Sequence, residues 1–102
     1  MKLISWNVNG IRAVLKKNFI EFVLEHDPDF LCLQETKARP EQVELPLELG
    51  HYRNYWNSAE KAGYSGTAIF TKAEPLGIRL GIGCDRSAEG DKEGRVITLE
   101  YP

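Results

Sequence analysis

The chain has 102 residues, 42% apolar and 27% charged, with a net charge of -2 at pH 7. That is enough for one modest domain and too few for two, with the composition of an ordinary soluble globular protein. The charge balance excludes a global basic signature of nucleic-acid binding, but not a phosphate substrate, because a bound divalent cation can supply positive charge locally.

The first residues, Met1-Lys2-Leu3-Ile4-Ser5, turn polar at once, unlike a signal peptide. Lys2–Trp6 reads as a first strand, ended by the turn signal Asn7-Val8-Asn9-Gly10. From Ile11 the period changes. Ile11, Val14, Leu15, Phe19, Phe22 and Val23 fall near helical spacing and predict one apolar stripe, broken into two pieces at Lys16-Lys17-Asn18. Pro28 ends it, since the residue before a proline avoids the helical region. Phe30-Leu31-Cys32-Leu33 follows as a fully apolar run, read as a strand buried on both faces. Cys32 in that run reads as an inert core thiol. It lies far from Cys84, and no disulfide framework or metal spacing is visible.

Beyond Lys37 the pattern loosens. Arg39–Pro46 can hold one short helical turn, with Pro40 suited to its start. Tyr52–Asn57 alternates aromatic and polar residues as an exposed-face strand does. Ser58–Ser65 is a polar loop, Gly66–Thr71 a central strand and Leu76–Ile82 a period-two edge strand. Cys84–Glu93 reads as loop and Arg95–Tyr101 as a last strand. No repeat appears, and no apolar run approaches membrane-spanning length. The expected setting is reducing and cytoplasmic, with no membrane partner.

The strand-helix-strand start is a βαβ unit, which implies parallel strands. Parallel neighbours put their carboxyl ends on one side, so Asn7, Asn9 and Glu35 should share one sheet edge. In open α/β sheets ligands bind outside that edge. A carboxylate flanked by amide oxygens suits a hard cation such as Mg²⁺. Two readings stand here: a metal site at Glu35, or a solvated Glu beside asparagines that merely make the turn.

Four segments occur in order: Ser5-Trp6-Asn7-Val8-Asn9-Gly10-Ile11-Arg12-Ala13, Leu33-Gln34-Glu35-Thr36-Lys37, Gly63-Tyr64-Ser65-Gly66 and Glu93-Gly94-Arg95-Val96-Ile97. Together they resemble the exodeoxyribonuclease III family of abasic-site endonucleases, within the DNase I-like endonuclease/exonuclease/phosphatase superfamily. The resemblance runs along the whole chain. The Gln34-Glu35 pair alone is superfamily-wide; its extension to Thr36-Lys37 together with the Gly-Tyr-Ser-Gly loop is much more specific to the DNA-repair branch. The resemblance implies an α/β fold, the N-terminal part of a four-layer α/β sandwich, with a mixed sheet. It implies Mg²⁺-dependent (or Mn²⁺-dependent) hydrolysis of phosphodiesters in double-stranded DNA containing abasic sites or 3′ ends.

By matching position, Glu35 resembles the metal-ligating glutamate and Asn7 the active-site asparagine that holds the catalytic network. Asn9 occupies a metal-side position that is Asp in some members and Asn in others, an amide being the weaker ligand. Lys37 matches a lysine beside the metal. Arg12, Ala13 and Lys17 match residues that contact DNA phosphates, and Gly63 and Tyr64 a loop that touches the backbone and groove. Arg95 resembles a structural arginine near the site.

Family members are roughly two to three times this long, the size of a single α/β domain. Residues 1–102 therefore read as the N-terminal portion of such a domain. The family's catalytic tyrosine, its Gly-Asp-x-Asn motif and its Asp-His pair have no counterpart here, and His26 and His51 read as surface residues. The expected function is a DNA-repair nuclease of which this stretch alone is inactive. The alternatives are a non-catalytic half-domain that binds nucleic acid or protein, and a phosphoesterase of the same superfamily acting on another phosphate ester such as a lipid phosphate.

Overall fold

The computed structural model describes residues 1–82 and 91–102. Cys84, and the stretch 84–90 of the loop read above, lie outside them. The elements in order are β1 (Leu3–Asn7), α1 (Ile11–Leu15), α2 (Phe19–His26), β2 (Phe30–Gln34), β3 (Arg53–Asn57), β4 (Thr67–Thr71), β5 (Gly77–Leu80) and β6 (Ile97–Glu100). Short 3-10 turns at Pro40–Gln42 and Leu47–Leu49 lie between β2 and β3. The first is the turn expected from the sequence, with Pro40 at its start. The second has no periodic signal that would predict it.

The main sheet has the order β1-β2-β4-β3. β1 and β2 run parallel, whereas β4 lies antiparallel to both β2 and β3. Gly66–Thr71 is thus central, as its apolar content requires, and the polar β3 takes an edge. β5 and β6 form a separate antiparallel pair. The helical stripe breaks where the sequence places Lys16-Lys17-Asn18. α2 ends on Asp27, whose left-handed backbone (φ 48°) lets its N–H donate to the Val23 carbonyl before Pro28 turns the chain into β2.

One face of the main sheet is closed. Leu31 and Leu33 of β2 and Ala68 and Phe70 of β4 pack with Ile11, Phe19 and Val23 from the helices, all within 1% of full burial. Each large apolar side chain so buried contributes about 1.5–3 kcal/mol. Trp6 stacks on Phe19 at 5.4 Å and tilts against Phe22 at 4.8 Å, fastening α2 to β1. Tyr52 closes the far corner by donating its hydroxyl to the Pro28 carbonyl at 2.6 Å.

Among the described residues the other face is only partly covered, which corrects the reading of β2 as buried on both sides. Phe30 and Cys32 are only half-buried. Together with Leu3 and Ile69 they line a groove of about 390 Å³ beside Ile97 and Leu99 of β6. An apolar run shows that a strand can be covered on both faces; what covers it depends on elements elsewhere. Burial still pushes the Cys32 thiol pKa up, consistent with an unreactive side chain.

Candidate active site

The parallel register pairs Asn7 with Gln34, so Glu35 is the first residue past the strand ends and lies across from Asn7. The Asn7 side-chain amide donates to Glu35 Oε2 at 2.5 Å. Asn7 Oδ1 accepts the Asn9 backbone N–H at 3.0 Å, the geometry of an Asx turn. Asn7 therefore makes the turn and orients the carboxylate at once, and the two sequence readings of it are not exclusive. Lys37 donates its ammonium to Asn9 Oδ1 at 2.6 Å and lies 3.8 Å from Glu35 Oε1. Asn7, Asn9, Glu35 and Lys37 form one connected network at the predicted edge.

The backbone beneath this network is tied on two sides. The N–H groups of Gly10 and Ile11 donate to the carbonyls of Glu35 and Thr36 at 2.8 and 2.9 Å. The N–H groups of Thr36 and Lys37 donate to Gly66 and Ser65 at 3.1 and 2.8 Å. The hydrogen-bond ladder thus continues past the strands into the loops. Asn9, Glu35, Lys37 and Ser65 all have left-handed backbone, with φ of 48°, 53°, 54° and 47°. Each such non-glycine residue costs about 1–3 kcal/mol and persists only where its surroundings fix it. The ladder supplies that restraint.

A cleft of about 340 Å³ opens beside the network, lined by Glu35, Lys37, Tyr64, Ser65 and Arg95. Tyr64 donates its hydroxyl to Glu93 Oε1 at 3.1 Å, and Arg95 Nε donates to Glu93 Oε2 at 2.8 Å. The Arg95 hydrogen bond, seconded by Tyr64, lowers the Glu93 pKa below its ordinary value. The Lys61 ammonium lies 5.3 Å from the centre of the Tyr64 ring, completing this wall.

The remaining predicted residues lie outside the lining of the cleft. Arg12, Ala13 and Lys17 are exposed on α1 and the turn after it, and none lines the cleft. Arg12 joins the network through a 3.5 Å hydrogen bond to the Lys37 carbonyl. Gly63 has φ 68°, with open space where a Cβ would stand. His26 and His51 are exposed, as read from the sequence, and pack on Phe22 and Tyr52.

Ser65 and Glu93 lie in segments that carry the family resemblance, but the sequence assigns neither a role of its own. Ser65 lines the cleft and Glu93 holds Tyr64 and Arg95. Among the described residues, no group of three or more His, Cys, Asp or Glu comes together to hold a metal. No described helix is long and apolar enough to cross a membrane.

The exodeoxyribonuclease of Bacillus subtilis (strain 168) is 57% identical over 102 residues, which cover 99% of this chain and 38% of the relative. The DNA repair nuclease APEX1 of Danio rerio is 50% identical, over all of this chain and 33% of its own length. An AP endonuclease structure from Archaeoglobus fulgidus superposes with a TM-score of 0.77 at 28% identity, covering 99% of this chain and 37% of that one. The chain thus spans about a third of the length of these proteins, and its α/β fold is that of the corresponding part of a DNase I-like endonuclease. The model of the Endonuclease/Exonuclease/phosphatase family matches residues 4–98, including β1, the Asn7–Glu35–Lys37 network and the cleft wall, and the chain belongs to that family.

Proposed function

We propose that this chain is the N-terminal portion of a Mg²⁺-dependent DNA-repair nuclease that hydrolyses phosphodiesters at abasic sites or 3′ ends. One observation carries the reading. Asn7 holds one oxygen of Glu35, Asn9 holds the Lys37 ammonium off the other, and that oxygen stays beside a cleft with cationic walls.

The donor set fits Mg²⁺. A single carboxylate with amide oxygens nearby matches an ion that uses one or two protein carboxylates and keeps its waters. Glu35 would hold it, with Asn9 as a weaker second donor once Lys37 turns away. Bound there, the ion would supply Lewis-acid stabilisation to a phosphoryl oxygen. Asn7 fixes the carboxylate orientation. Lys37 and Arg95 place positive charge where a phosphate would sit. Gly63 and Tyr64 meet the DNA backbone, while Arg12, Ala13 and Lys17 receive flanking phosphates along the exposed side of α1.

In-line attack also needs a base for the water. Among the described residues, Glu35 is the sole carboxylate lining the cleft, and no histidine lines it. We therefore expect the base to come from the part of the domain that the relatives have and residues 1–102 do not span.

A second reading has its own support. Leu3, Ile78, Leu80 and Ile82 are 51–62% exposed, and Ile78 and Leu80 pair with Leu99 and Ile97 on one face of the β5–β6 pair. A half-domain that binds a partner through such apolar surface needs no catalysis.

The test is nicking of a duplex with one abasic site in Mg²⁺, by this chain alone and mixed with the remaining portion of the Bacillus subtilis relative. Nicking by the mixture alone is the expected result. Robust nicking by the pure chain would contradict its inactivity. DNA binding without nicking in either would favour the half-domain, and a preference for lipid phosphates would move the substrate class.

A further inference from the structure

We propose that Thr36 and Gly66 form a clasp that positions the Gly63–Ser65 loop over Glu35. The inference deepens the proposed function, because it takes that loop and Glu35 as the two sides of a phosphodiester site.

Thr36 is fully buried, and its Oγ1 is the one buried side-chain polar atom among the described residues without a hydrogen-bond partner. Its place is set by packing and not by a side-chain hydrogen bond within the described residues. The contact is with Gly66. A Cβ built on Gly66 would lie 2.5 Å from Thr36 Oγ1, closer than side-chain carbons come to such atoms. The hydroxyl therefore rests in the space that only glycine leaves empty.

The backbone repeats the same contact. Thr36 N–H donates to the Gly66 carbonyl at 3.1 Å, and Lys37 N–H to Ser65 at 2.8 Å. On its other side Thr36 accepts from Ile11 at 2.9 Å. Thr36 thus stands between the start of α1 and the Tyr64 loop, directly after the metal-side carboxylate. It lines no part of the cleft. Its role is to hold Ser65 and Tyr64 in register with Glu35, where left-handed backbone at Glu35, Lys37 and Ser65 would otherwise relax.

The test measures amide hydrogen exchange at Thr36 and Lys37, with Mn²⁺ broadening of nearby amides as the positional readout. Gly66→Ala should lose about tenfold of the protection at those two amides, equivalent to ~1.4 kcal/mol, while Leu31 and Leu33 keep theirs. Mn²⁺ should broaden Asn7, Glu35, Tyr64 and Ser65 in the unmodified chain. In Gly66→Ala it should still broaden Asn7 and Glu35, and lose Tyr64 and Ser65.

Thr36→Ala combined with Gly66→Ala should recover most of the protection, because the new methyl takes the space of the lost hydroxyl. The single and the double variant both carry Gly66→Ala and so share the same strain at φ +89°, and the cycle isolates the contact. Thr36→Ser keeps Oγ1 and should behave as the unmodified chain.

Should Gly66→Ala unfold, Thr36→Val decides. It removes a partnerless hydroxyl, so overall stability holds or rises, yet it sets a bulkier methyl against Gly66 and should loosen the loop. Unchanged exchange in Gly66→Ala and Thr36→Val, or additive losses in the double variant, would overturn the clasp. Absent Mn²⁺ broadening at Glu35 in the unmodified chain would overturn the metal reading instead, and exchange would still decide the clasp.

Discussion

The two ends of the main sheet carry the same kinds of side chain and use them differently. At the far end Lys72 sits directly on Asp27 at 2.7 Å, and Asp29 accepts the Lys2 backbone N–H at 2.6 Å. Each carboxylate there is committed to a partner, and the contacts tie chain segments together. At the near end Lys37 is turned onto Asn9 at 2.6 Å and stays 3.8 Å from Glu35. The difference is one amide, which holds the cation off the carboxylate and leaves an oxygen beside the cleft. Size points to the other end. A groove of about 710 Å³, lined in part by Asp29, Phe30 and Lys72, lies at the far end, against about 340 Å³ at the near one. A converging polar set beside a cleft marks a site; volume alone does not.

The contrast is broken most directly at the carboxylates. Glu35→Ala should abolish divalent-ion binding by this chain, measured by Mn²⁺ titration, while Asp27→Ala should leave it unchanged. Equal losses would show that the two ends do not differ in kind. Asn7→Ala, which frees Glu35 to rotate, should weaken the ion by about 10–100-fold, as loss of an orienting partner does. Lys37→Met sharpens the contrast through opposite signs. Removing an exposed cation that competes for the carboxylate, worth about 0.2–1 kcal/mol, should tighten divalent-ion binding a few-fold. The same change should weaken binding to duplex DNA, as a filter or anisotropy titration would show. Two losses together would mean that Lys37 supports the carboxylate and does not compete for it.

Much of this arrangement follows from local pattern. The βαβ start fixes the parallel pair, and the parallel pair puts Asn7 beside Glu35 without any knowledge of side chains. The helix break at Lys16–Asn18 and the central place of Gly66–Thr71 come from periodicity and apolar content in the same way. The long-range pieces do not. Nothing near Glu93 in sequence shows that its carboxylate will bind Tyr64, 29 residues earlier. Thr36 stands out in sequence only through the family resemblance; nothing local shows that it is fully buried with Gly66 closing over it. The half-buried face of β2 escapes a sequence reading for the same reason, since apolar content specifies a demand for cover and not the element that meets it.

The smallest expected effect lies at the far end, in its dependence on pH. The hydrogen bond from Lys72 lowers the Asp27 pKa, with the Lys72 charge, His51 and Lys2 acting in the same direction. Lys72 in turn is raised, first by the hydrogen bond to Asp27. A carboxylate whose folded pKa is depressed contributes stability above its unfolded pKa, and that contribution is lost as pH falls through the folded value. For Lys72 the contribution is present below the ordinary lysine pKa and disappears as pH rises through the raised one. The pair should therefore stabilise a broad middle range and fade at both extremes. Thermal unfolding of the unmodified chain and of Asp27→Asn should differ by a small, constant amount near neutrality. The two melting curves should converge below the ordinary carboxylate range and again above the ordinary lysine range. Both groups are solvent-exposed, so the gap should also shrink with added salt. A gap that persists in strong acid would mean that Asp27 acts through its left-handed cap of α2 and not through Lys72, in which case the far end is held by backbone geometry and the charge pair is incidental.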